Sequence, residues 1–223
     1  MVPKMRAALL PVITALVTAG CGGGDSTPAP QPNLKSAMAP AEPMTVSSTT
    51  LTATDSSGNT YTVVYSSAPG GMAMFNGQSA STSTIALTIS ENGAVLATED
   101  STAYYLTAPY SPLGVSGTTS GTAWTAVINS YTPLPSTLTV GDSGALSSAT
   151  YYDGMNNAIG SLTETYTVTE DSPTAIFLNI DGAGTINGVQ ETETLTYSIA
   201  SDGTIQALVQ AQITVNGTTL TFQ

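Results

Sequence analysis

The chain has no histidine and a single cysteine, Cys21, in 223 residues. Its basic residues number three, Lys4, Arg6 and Lys35, against fifteen Asp and Glu. Each shortage excludes a class of chemistry. Without histidine there is no imidazole base and no Ser-His-Asp triad. Zinc sites made of His and Cys are ruled out on the same ground. A lone thiol closes no internal disulfide. So acidic a chain repels phosphate backbones, so nucleic acid is not an expected partner. P-loop and dinucleotide fingerprints are missing, and no cofactor or bound metal is expected. Charged residues make up only 8% of the chain and hydrophobic ones 41%. This is not the composition of charged disorder; the polar surface must come from Ser, Thr, Asn, Gln and Gly.

What is present begins with a leader. Lys4 and Arg6 precede AALLPVITALVTA, residues 7–19. That apolar run has the length of a signal-peptide core and is too short to span a bilayer, which takes about 20 residues. Ala19 and Gly20 then lead to Cys21. After it come three glycines and a stretch holding Pro28, Pro30, Pro32, Pro40 and Pro43, a composition suited to a flexible to polyproline spacer. Residues 1–24 resemble the lipobox of bacterial lipoproteins, with Thr18 where that family usually has Leu. The resemblance implies a signal peptide over 1–20 and acylation (palmitate included) at Cys21. It further implies a spacer over 21–47 and a lipid-anchored place in the cell envelope. Gly22, rather than Asp, after the cysteine points by the same resemblance to the outer membrane. An ordinary secretory leader and a retained buried helix are the alternatives. Removal of residues 1–20 leaves fifteen acids and one lysine, so contact with an anionic membrane is expected through the anchor alone.

From Ser48 onward Thr alternates with Val, Ile and Tyr, the pattern of half-buried strands. "TIQALVQAQITV", residues 204–215, is the clearest run. Asn-Gly at 76, 92, 187 and 216 and Asp-Gly at 153, 181 and 202 supply hairpin signals, since these residues tolerate positive φ. No amphipathic helical pattern follows Cys21. The expectation is one all-β domain over 48–223, an antiparallel meander closing into a barrel or half-barrel of roughly eight to eleven strands, with a two-sheet sandwich as the alternative. Residues 107–135, rich in Pro, Gly and Ser, are expected to form long loops, with Trp124 in an intervening strand.

Candidate chemistry is sparse. Gly141-Asp142-Ser143-Gly144 resembles the nucleophile motif of trypsin-like proteases over four residues only, and the missing histidine makes it a turn. Carboxylate chemistry survives: glycoside hydrolysis by paired acids or calcium held by oxygen ligands, with Asp55–Asn59 and Glu99-Asp100 as candidates for the latter. Strand parity puts Glu164 on the face of Leu162, Tyr166 and Val168, and Glu193 on that of Leu195, Tyr197 and Ile199. A buried acid needs a partner, and the domain has no arginine or lysine to offer. Three placements follow: at strand ends in water, which is favoured; turned outward by a bulge; or lining a wet cavity. With Trp124, Tyr104 and Tyr105, the two acids form the candidate ligand-binding set; core filling is the simpler role for the aromatics. No catalytic residue is expected. The preferred function is a lipid-anchored, non-enzymatic binding or structural protein with a protein or glycan partner, and the alternative is a carboxylate-dependent enzyme such as a glycoside hydrolase.

Overall fold

Alternation becomes strand throughout the computed structural model, which describes residues 34–40, 48–55, 57–215 and 217–223. The leader, Cys21 and most of the expected spacer lie outside them. The strands are β1 Ser36–Met38, β2 Ser48–Thr54, β3 Thr60–Phe75, β4 Gln78–Glu91, β5 Ala94–Thr107, β6 Tyr110–Thr119 and β7 Thr122–Tyr131. They continue as β8 Thr137–Thr139, β9 Ser143–Asp153, β10 Ala158–Ser172, β11 Ala175–Ile186, β12 Val189–Ala200, β13 Ile205–Val215 and β14 Thr218–Phe222. No helix occurs among the described residues.

Twelve of these form one antiparallel sheet in the order β2 to β7, then β9 to β14. Its two edges meet. Thr52 and Gln223 exchange backbone hydrogen bonds of 3.0 and 2.9 Å, so the sheet is nearly closed into a barrel rather than split into a sandwich. Within residues 107–135, β7 is the expected strand that holds Trp124, and β6 occupies a stretch expected to be loop, which brings the sheet to twelve strands. Pro112, Gly114 and Gly117 interrupt the alternation there, yet each is paired in a ladder.

Inward positions carry the apolar residues. Ile176, Leu178, Leu195, Tyr197 and Ile199 are at most 1% exposed, and each such aliphatic side chain contributes about 1.5–3 kcal/mol by burial. Outward positions are mostly Thr, Ser, Asn and Gln, many bonded across strands, as in Ser130–Ser148 at 2.7 Å and Thr194–Asp181 at 2.6 Å. This sense is the reverse of a lipid-spanning barrel, whose outer band is apolar.

Tight turns lie at one end of the barrel. Asn92-Gly93 and Asn187-Gly188 have φ of 50° and 82°, and 52° and 75°, as a type I′ turn requires. Asp181-Gly182, expected to turn, instead sits in the middle of β11. The other end is closed by a clasp: β1 pairs with β8. Its Ala37 and the facing Leu138 are buried in the core, and Lys35 forms an ion pair with Glu170. Strand β1 and the clasp therefore fall inside the region expected to be spacer.

Candidate functional site

The lumen holds more acid than strand parity alone suggested. Glu164, Gly182 and Glu193 form one cross-strand row on β10, β11 and β12. Ser147 on β9 continues it, and its Oγ donates to Glu164 Oε2 at 2.5 Å. Two residues away, Gly184 faces Glu191. The glycines make room: a Cβ on Gly182 would stand 3.0 Å from Glu193 Cγ and 3.1 Å from its Oε1. Glu99 on β5 completes the set. In the sheet order β5 stands six strands from β12, on the opposite wall. Glu99, Glu164, Glu191 and Glu193 are all buried.

Both acids singled out by parity are thus brought together in the closed interior, and the favoured placement at strand ends in water is overturned. The bulge between Glu164 and Thr165 in the β9 ladder does not turn Glu164 outward. Missing side chains on β11 are the physical reason that the inner face tolerates them. "DGAG", residues 181–184, signalled this, because both glycines share the inward parity of Ile180 and Ile186; taking Asp-Gly as a turn hid it. Glu191 shares the parity of Glu193 and was equally readable.

Burial dominates the electrostatics. It raises the Glu99 carboxyl to about 7, against hydrogen bonds from Ser101 and Thr119 that oppose the rise. Burial lifts Glu191 to about 8 and raises Glu164 against the Ser147 hydrogen bond. Glu193 is pushed well above the carboxylate range by burial first, then by repulsion from Glu164, Glu191 and Glu99. Oε2 of Glu191 and Oε2 of Glu193 are buried without a hydrogen-bond partner. The cavity touching Glu164 and Ser147 has about 20 Å³, room for about one water. Such an arrangement can hold protons; a sugar does not fit it.

The aromatic candidates do not form one site with the acids. Trp124 is buried, and its Nε1 donates to Thr119 Oγ1 at 3.0 Å. Thr119 Oγ1 in turn donates to Glu99 Oε2 at 3.4 Å. The Tyr105 hydroxyl lies inside, 3.3 Å from Ser83 Oγ. Tyr104 faces outward, stacked on Phe75 with centroids 4.5 Å apart.

That stack marks a second feature. Beyond the register shift between Pro69 and Met72, the β3–β4 hairpin folds onto the outer wall. Phe75 and Ala80 are buried there, and a Cβ on Gly114 would meet the Phe75 ring at 2.5 Å. Beside the hairpin the wall is concave. A groove of about 820 Å³ runs over β3 to β7 and is lined by Ser66, Thr84, Asp100, Thr102, Ser116 and Thr125, among others. The row Ser66–Ala86–Asp100–Thr118–Ala123 forms part of its floor. Tyr104 touches its margin, with its hydroxyl 3.1 Å from Ser116 Oγ. Asp153 at the far end has its oxygens occupied by the amides of Met155 and Asn157 and by Asn157 Nδ2.

The calcium candidates are not assembled. Asp55 is engaged by Ser57 and Asn59 of its own turn, and Glu99 and Asp100 face opposite sides of β5. Asp142 of the Gly-Asp-Ser-Gly motif accepts the Thr139 amide at 2.7 Å, as in a turn. Comparison with known protein families, curated proteins and solved structures finds no match.

Proposed function

We propose that the protein is a lipid-anchored cell-envelope protein whose barrel is a non-enzymatic binding module that meets its partner on the outer wall. One observation carries this reading: the lumen is packed with side chains while a groove of about 820 Å³ lies open on the outside. The groove is built of short hydroxyl side chains, which suit a polar, uncharged partner such as a glycan or a peptide backbone. It holds no paired, unengaged carboxylates. Asp153 is committed to its own turn, leaving Asp100 alone among its acids. An enzyme of the two-carboxylate kind needs two acids flanking an accessible bond, and the acids that lie together are sealed inside.

The anchor reading rests on Ala19, Gly20 and Cys21 and on the proline-rich stretch that follows. A fatty-acid analogue is expected to label the wild type and spare Cys21→Ser; equal labelling removes the anchor. The binding reading is tested by purifying the native protein with its membrane and identifying bound material by mass spectrometry, beside Thr102→Trp, which fills the groove. Material bound to the wild type and lost from the variant supports it. Equal recovery from both overturns it.

A further inference from the structure

The groove leaves the lumenal acids without a task, although they are the most unusual feature of the interior. Buried acids are ordinarily paired. Here four carboxyl groups share a sealed space with no cation on any described lumenal residue. The titratable groups facing that space are Glu99 on β5, Glu164 on β10, and Glu191, Glu193 and Tyr197 on β12, with Tyr65 on β3. Further phenols on the inner face are Tyr61, Tyr105, Tyr151 and Tyr166. Asp100 lies on the outer side of β5, and Glu91 at the rim accepts the Tyr61 hydroxyl at 2.9 Å. The remaining inward positions carry Gly, Ser, Thr, Trp124, Phe222 or aliphatic side chains, and the half-buried Tyr110 and Tyr131 pack in line with Tyr105. Two oxygens, Glu191 Oε2 and Glu193 Oε2, are buried and unpartnered. An ionised oxygen in that position is strongly disfavoured, and a protonated one is tolerable.

The position of the cluster in the sheet matters as much as its composition. The row that carries Glu193 continues through Ile213 on β13 to Leu220 on β14. Next comes the seam, where β14 meets β2 through the Thr52–Gln223 hydrogen bonds. Elsewhere in the twelve-stranded sheet neighbouring strands are joined by ladders of five or more residue pairs, the shortest being β13–β14. Once ionised, the acids on β10 and β12 repel one another and Glu99 on the far wall, a force that acts to part the walls. The seam is where the sheet can yield.

We propose that the four lumenal carboxyl groups form a proton-binding lock: with protons bound the barrel stays closed, and their release opens it between β14 and β2. The ligand is the hydrogen ion, and the device works over the span between ordinary glutamate titration and mild alkalinity.

Amide hydrogen exchange on the intact folded domain tests the lock, read as protection factors so that the intrinsic pH effect is removed. Between pH 5 and pH 8.5 the amides of Thr52 and Gln223 are expected to lose at least tenfold protection, while the β10–β11 ladder keeps its own. In Glu193→Gln, and more fully with Glu191→Gln added, the neutral amide replaces the protonated acid and the loss should shrink or vanish. Protection that does not change with pH in the wild type overturns the lock, as does an equal loss in the variants. A second readout is the single tryptophan, wired through Thr119 to Glu99. Its emission is expected to shift with a midpoint near neutrality in the wild type and to stay constant in Glu99→Gln. A flat wild-type curve, or the same transition in the variant, overturns it as well.

Discussion

At the scale of single residues, space and charge are matched on three strands. Glu193 is accommodated because Gly182 has no side chain. Gly182→Ala sets a methyl 3.0 Å from Glu193 Cγ, and overpacking of this kind costs about 1–3 kcal/mol; urea denaturation should show a loss in that range. Ser147→Ala removes the hydroxyl that donates to Glu164. With the buried acid left alone, the expected loss is about 1–3 kcal/mol, again read from the urea midpoint. Parity made Glu164 and Glu193 legible as inward acids, and nothing in their own residues showed that a glycine on the strand between them would make room. Tyr104 and Tyr105 illustrate the complementary limit. Adjacent in sequence, they point to opposite faces of β5, so they could never line the same surface.

At the scale of elements, the type I′ turns were readable and the interrupted strands were not. Asn187 holds φ at 52°, where most L-residues are strained by about 1–2 kcal/mol. Asn187→Val should therefore lower the melting temperature, whereas Asn187→Gly should leave it nearly unchanged. The dipeptide Asp181-Gly182 has the same turn chemistry but spans a strand, because the local preference is overridden by pairing with β10 and β12 on either side. β6 escaped recognition for the opposite reason: its glycines break the alternation although its ladders are intact. The clasp was hidden by the prolines around it. Since Ala37 covers Leu138, a fragment of residues 48–223 should still give a β-type circular dichroism spectrum but melt several degrees below a fragment of residues 33–223. Equal melting temperatures would mean that the clasp contributes nothing to stability.

At the scale of the whole molecule, the class, the inward–outward division and a closing meander were legible in the alternation and the short turns, whereas the place of the seam was not, since no local signal ties β2 to β14. The closed interior reverses the usual pH dependence of stability. A carboxyl whose folded pKa lies above its unfolded value is protonated in both states at low pH and costs nothing there. As pH rises past about 4.5 the unfolded chain ionises freely while the folded one must hold its proton, so stability falls until the folded pKa is passed. For Glu99, raised to about 7, the full penalty is about 3 kcal/mol. The melting temperature should be highest near pH 4.5–5 and decline toward pH 8, with a shallower decline in Glu99→Gln; a maximum at pH 7–8 contradicts the buried cluster. Closure has a further consequence for assembly. Apart from β7 and β9, which are parted by β8, every pairing in the main sheet but the seam joins strands consecutive in the chain, so hairpins can add one at a time as the polypeptide lengthens. β14 is the last of the described strands. Until it arrives, β2 waits with an open edge, and the nascent sheet is exposed to edge pairing with its own copies. The interval before the final strand docks, rather than the finished fold, is when this protein is most vulnerable to aggregation.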